Sequence, residues 1–380
     1  MTEKNKNNFC ALCNTVLVGG ARSKEHIIPN SIGGRLKTSN FICVVCNSTR
    51  GDSWDSELAE QLNWFSLSLG ITRERGLPPG QIVNTVDGRQ YTLLADGSFT
   101  PKSSYSEELV NGKKRIHMVA KSVSEARKRL NGVAKKYPTF DLEKALSNLK
   151  INTCYMDCPL TVELSLGGAK SGRSLVKTAL AFASHCGVPH SDFGQAVAYL
   201  LDENAEPPYG YAYLSDLVTN RNKTTMVHCL SLKSDASKRR LWSYIEYFGL
   251  HRIIVLINDN YLGPKIDRTY AINPITGEKV DIKISNNITD EEFFKVIDGR
   301  GFDAVVHRAA ADHALPIVIH RSEQRTLKNA VKAGFIYAAG TLGIPEGADI
   351  PSEKAAEFTA LMMEKISPYL SHQIRTKRRL

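Results

Sequence analysis

Four cysteines near the start of this chain set the strongest constraint on how it can fold. Cys10 and Cys13 form one C-x2-C pair, and Cys43 and Cys46 form a second. A segment this short cannot build an adequate apolar core of its own and needs a staple. A thiol-exchange motif uses a single C-x2-C ahead of a helix, whereas a doubled pair has the spacing of two zinc knuckles. Four thiolates make a closed tetrahedral site with no position left for water, so the expected Zn²⁺ is structural. It would supply folding free energy to the segment that holds it. The remaining cysteines, Cys154, Cys158, Cys186 and Cys229, are scattered without ligand spacing.

Any catalysis therefore needs other ligands, and oxygen and nitrogen donors lie between the knuckles. Glu25 and His26 sit at a short apolar strand reading His-Ile-Ile-Pro, and Asn40 is expected to open the next strand. Asn47 directly follows the last cysteine, in the first turn of a helix expected to run on through Asp52, Trp54, Leu58 and Leu62. Neighbours on a strand point to opposite faces, so Glu25 and His26 serve one site only where the strand end bends. Pro29 and the pair Gly33-Gly34 supply an irregular loop there. Asp52 is a candidate extra ligand, and Asp52 and Asp55 otherwise read as a solvated helix face.

The pattern C-x2-C, E-H-I-I-P, G-G, N-x2-C-x2-C-N over residues 8–62 resembles the HNH (ββα-metal) endonuclease family in its zinc-bearing branch. It is similar in order and spacing to phage junction-resolving nucleases of the endonuclease VII type, and to bacterial HNH restriction and anti-phage nucleases. The resemblance implies His26 as the general base, Glu25 and Asn47 as ligands of one catalytic divalent ion, and Asn40 as the residue that orients His26. Many members have Asp where this chain has Glu25.

Those residue types suit phosphodiester hydrolysis. Neutral imidazole near pH 7 can take a proton from water. One carboxylate and one amide match Mg²⁺ or Mn²⁺, which keep several waters, and a histidine-bearing site also admits Ni²⁺. Lys24, Arg35, Lys37 and Arg50 are candidate phosphate contacts around the site, with Arg127 and Lys128 as further candidates on a later helix. The competing reading is a zinc-knuckle nucleic-acid-binding protein in which Glu25 and His26 are structural.

At 380 residues the chain exceeds one ordinary domain. The expected division is a nuclease domain over 1–64, a linker with a small α+β region over 65–149, and an α+β domain over 150–380. The last of these is read as serving substrate grip, sensing or oligomerisation. The fold class is α+β: a small zinc-bound ββα-metal, treble-clef-like domain, then a larger mixed region with a helical C-terminus. The breaker run Gly76-Leu77-Pro78-Pro79-Gly80 ends the first stretch. Strands are expected at Gln90 to Leu94, Arg115 to Ala120 and Leu160 to Leu166, and a strand-rich sheet over Thr225 to Lys233, Trp242 to Asp259 and Thr269 to Ile284, with Arg252 to Ile257 a buried strand and Asn273 to Val280 a hairpin. Helices are expected at Ser122 to Lys136, Ser174 to Cys186, Ser322 to Leu342 and Ser352 to Leu370. Gly167, Gly168 and Gly172 before Lys177 fit neither a P-loop nor a dinucleotide spacing.

A net charge of +10 favours a polyanionic partner, DNA first. Ile374 to Leu380 forms a basic terminus. The polar start and the lack of a long apolar run argue against a signal peptide and a membrane span, so a cytoplasmic location is expected. The sequence-level conclusion is a DNA endonuclease of the HNH type, with phage defence or restriction as its setting. A homo-oligomer, and a small-molecule or protein activator acting on the C-terminal region, are the candidate partners.

Overall fold

A computed structural model describes residues 9–150, 155–285 and 287–377. Cys154, and Arg378, Arg379 and Leu380 of the basic end, lie outside them. The fold is mixed α+β with a helical C-terminus. Two compact units divide the chain, one holding the residues up to Pro78 with Leu164–Arg321, the other Pro79–Glu163 with the residues from Ser322 onward. No described helix is long and apolar enough to cross a membrane.

The first unit is built on a five-stranded antiparallel sheet. Its order is Asp267–Ile272, His228–Asp235, Arg240–Tyr247, His251–Asn258 and Tyr209–Tyr211. The inner strands are buried on both faces, and side chains alternate between two apolar layers as the period of two demands. Leu230, Leu232, Ile245, Ile253 and Val255 face one layer, while Cys229, Trp242, Tyr244 and Ile254 face the other. Against the first face lies the helix Ala169–His185, buried from Ser171 to Ser184. The zinc-knuckle segment shares that layer, since Leu17, Ile27, Phe41, Leu58 and Phe65 belong to the same core as Leu175 and Val176. His228 fixes the join: its Nε2–H donates to the Ile32 carbonyl at 2.8 Å and its Nδ1 accepts the Phe248 N–H at 3.0 Å.

Within the N-terminal segment the strand Glu25–His26 pairs antiparallel with Lys37–Thr38, Glu25 opposite Thr38 and His26 opposite Lys37. Between them a short turn over Asn30–Ile32 closes at Gly33, whose φ of 100° lies in the left-handed region that favours glycine. The strand ends before Asn40, which sits in a bend. Cys43 caps the following helical turn, its sulfur accepting the Cys46 N–H. The turn Val44–Cys46 passes through a π-helical turn, Asn47–Gly51, into the helix Asp52–Gln61 and then Asn63–Leu69.

The second unit holds a four-stranded antiparallel sheet ordered Phe99–Pro101, Gln90–Leu93, Gln81–Thr85, Leu160–Thr161. Beside it in sequence come the hairpin Ser104–Val110 with Lys113–Val119 and the helix Val123–Lys136, capped by Ser122. Its later helical part includes the edge-on contact of Phe335 with Phe358.

Several elements differ from expectation. Only Leu160–Thr161 of the alternating Leu160–Leu166 run pairs, because Leu164 and Leu166 pack against the apolar core of the first unit instead. The helix expected from Ser174 begins at Ala169. The helix expected from Ser322 begins at Ala304, where the Asp303 carboxylate accepts the Val305 and Val306 N–H groups. Ala310, Ala314 and Val318 then bury one face of it at i, i+4 spacing, and it continues through Pro316. Ser352 opens a short turn after Pro351, and the final helix is Ala355–Lys377.

Candidate active site

The two knuckles bring all four cysteine sulfurs within 4.8 Å of one another. Cys13 and Cys43 are 3.7 Å apart, which matches the edge of roughly 3.8 Å in a tetrahedron with Zn–S bonds of about 2.3 Å. Backbone contacts hold the knuckles together: the Ala11 N–H donates to the Phe41 carbonyl at 2.9 Å, and Arg22 bridges Cys43. The cluster has the donor set and the dimensions of a structural zinc site.

From this platform the short strand projects its two residues to opposite sides. His26 is half-buried and donates from Nε2 to Glu74 Oε1 at 3.1 Å. That bond leaves Nδ1 as the acceptor nitrogen of the neutral ring. Burial pulls the His26 pKa below its ordinary value, partly opposed by the Glu74 hydrogen bond. Glu74 is itself positioned: its other oxygen accepts from Lys37 Nζ at 2.8 Å, and its N–H donates to Asn30 Oδ1 at 2.8 Å. Arg35 ties down the same stretch through the Thr72 carbonyl and hydroxyl. Glu74 lies far along the sequence from His26, and no motif marks it. The Asn40 backbone carbonyl accepts from the Ser184 hydroxyl at 2.8 Å, and His26 Nε2 is taken by Glu74.

Glu25 points inward and is 4% exposed. Its carboxylate meets Lys177 Nζ, from the buried helix Ala169–His185, and the same ammonium reaches Asp55 Oδ2 at 2.7 Å. Ser174, one turn earlier on that helix, donates to Asp55 Oδ1 at 2.6 Å. Asp55 therefore faces the interior, where the sequence suggested a solvated surface. Burial would lower the Lys177 pKa, but the Asp55 and Glu25 carboxylates outweigh it and the ammonium stays charged. Burial is the main force raising Glu25, opposed by Lys177 and reinforced by the negative charges of Asp55 and Asp52.

Asn47 completes the group. Its amide nitrogen donates to the Ser23 hydroxyl at 3.1 Å, while its Oδ1 is buried without a hydrogen-bond partner among the described residues. Leaving a buried acceptor unpaired costs free energy, and such an atom fits a cation ligand. Gly51 makes room for it: a Cβ there would lie 2.5 Å from Asn47 Oδ1 and 3.7 Å from Lys177 Cδ. The amide oxygen and the lysine chain thus share one pocket. Asn47 Oδ1 is open to a cation, whereas the Glu25 carboxylate is already paired with Lys177.

Of the candidate phosphate contacts, Lys24 and Arg50 are exposed in this unit, whereas Arg35 and Lys37 are engaged around Glu74. Arg127 and Lys128 are exposed on the Val123–Lys136 helix of the other unit. No curated protein and no solved structure matches the chain. Residues 10–63 match the family model described as HNH endonuclease, and this matched stretch carries the four-cysteine cluster.

Proposed function

We propose that the chain is a metal-dependent endonuclease that hydrolyses phosphodiester bonds in DNA. The observation that carries this reading is the buried, unpaired amide oxygen of Asn47, which directly follows the last cysteine of the cluster inside the stretch that matches the HNH family model. Glu25 and Asn47 would hold one divalent ion, Mg²⁺ or Mn²⁺. When bound, such an ion neutralises charge on the scissile phosphate and its leaving oxygen. His26, held through Nε2 by Glu74, takes the proton of the attacking water at Nδ1. Lys24 and Arg50, both exposed, would meet the phosphate backbone, while Lys37 would act through Glu74 and Arg35 through the neighbouring Thr72. Asn40 would orient the His26 ring, the role the family resemblance implies for it. The remaining chain would supply substrate grip, regulation or assembly, and phage defence or restriction is the setting this activity suits.

A second reading is favoured by the ammonium of Lys177 on Glu25: a nuclease that stays quiet until a ligand or partner releases it. Incubation of supercoiled plasmid with purified protein tests the proposal. Nicking in Mg²⁺ or Mn²⁺ that EDTA abolishes is the expected result. Cleavage undiminished by EDTA, in protein that keeps its zinc, would overturn the metal-dependent reading.

A further inference from the structure

Lys177 is a fully buried charge in contact with Glu25 that the nuclease reading does not use. It lies outside the stretch that matches the HNH family, on a helix buried along most of its length. A lysine tolerates full burial only when paired. Here it has two carboxylates, Glu25 and Asp55, and Asp55 is held in turn by Ser174. Its stem shares the space under Gly51 with the unpaired oxygen of Asn47. The positive charge of this chain therefore already stands on the carboxylate expected to receive a metal ion.

We propose that Lys177 competes with the divalent ion for Glu25 and so sets the metal affinity of the nuclease site. This inference rests on reading Glu25 and Asn47 as the metal ligands. Two cations on one buried carboxylate lie within a few ångström of each other, where water screens them weakly. Metal binding therefore requires the ammonium to leave Glu25. Asp55 makes that possible, because Lys177 keeps a second partner when the first is taken. A helix outside the family-matched stretch thereby acquires control over whether the site is loaded.

Mn²⁺ binding to the zinc-loaded full chain, followed by the EPR signal of free Mn²⁺, tests this. The variant Lys177→Met/Asp55→Asn removes one ammonium and one carboxylate, leaving the local net charge unchanged. It should bind Mn²⁺ more tightly by on the order of a hundredfold, the scale of freeing one buried charge from its partner. Asp55→Asn alone leaves Lys177 with Glu25 as its carboxylate partner and should bind Mn²⁺ more weakly than wild type. This single variant keeps the ammonium paired, so it decides the question even where the double variant does not fold. Adding Glu25→Gln to the double variant should abolish the gain. Equal affinity in wild type and both Asp55 variants, with loss in Glu25→Gln, overturns the competition and leaves the metal site standing. Mn²⁺ binding indifferent to Glu25→Gln in every background overturns the competition and the metal-ligand reading together.

Discussion

At the scale of single residues, the site separates two tasks that one short strand carries on its two faces. Glu25 goes inward to charge chemistry, and His26 goes outward to an imidazole held at one nitrogen. Glu74 performs the holding, and it is fixed by Lys37 and Asn30. A base displaced by about an ångström can lose roughly a hundredfold in rate. Glu74→Ala should accordingly lower kcat for plasmid nicking by about ten- to a hundredfold, with Mn²⁺ affinity unchanged. A variant that cuts at the wild-type rate would show that the hydrogen bond positions nothing. The knuckles, Glu25, His26 and Asn47 were readable because their chemistry is concentrated in contiguous motifs. Glu74, Asp55 and Lys177 were not, because tertiary packing brings them in from other parts of the chain, and Asp55 alone on a helix looks like any solvated carboxylate.

At the scale of elements, the helix after the second knuckle begins with a π-helical turn, Asn47–Gly51, placing Asn47 and Gly51 on one wall. A methyl group at Gly51 would collide with the Asn47 amide oxygen. Gly→Ala inside a helix ordinarily raises stability by up to about 1 kcal/mol. Gly51→Ala should therefore weaken Mn²⁺ binding and nicking while leaving the thermal midpoint within a few degrees of wild type. Equal loss of stability and activity would assign the glycine to packing alone. The strands of the five-stranded sheet other than the edge strand Tyr209–Tyr211 fell in stretches expected to be strand-rich, and the helix Ser122 to Lys136 was visible by its cap and its terminating Pro138. The ends of other elements were hidden: Asp303 starts a helix well before the alanine-rich stretch, and Leu164 and Leu166 leave their strand for a different core.

At the scale of the whole molecule, the first unit draws the cysteine-knuckle segment and the sheet into one apolar core. His228 joins them through Ile32, and His251 is buried in the strand His251–Asn258 of the same sheet with Nδ1 unpaired among the described residues. Burial pushes both rings down from 6.5 to about 4. Above pH 6.5 both are neutral in the folded and the unfolded chain, and their contribution is fully present. As the pH falls below that value the unfolded chain takes up protons that the folded chain refuses until about pH 4. Stability is lost over that window at about 1.4 kcal/mol per pH unit for each ring. Denaturant midpoints measured between pH 6.5 and pH 5 should fall steadily, and a flat profile would place protonated rings in the folded core.

The claim on which the rest depends is that His26 performs chemistry at a site whose fold and metal ligands do not need it. The most direct measurement takes one preparation of His26→Ala and reads three properties: zinc content, Mn²⁺ affinity and plasmid nicking. Expected are wild-type zinc, wild-type Mn²⁺ binding and a loss of cleavage of about 10²–10⁴-fold, the range of a general base. Undiminished nicking by a folded, zinc-loaded His26→Ala protein would contradict this claim.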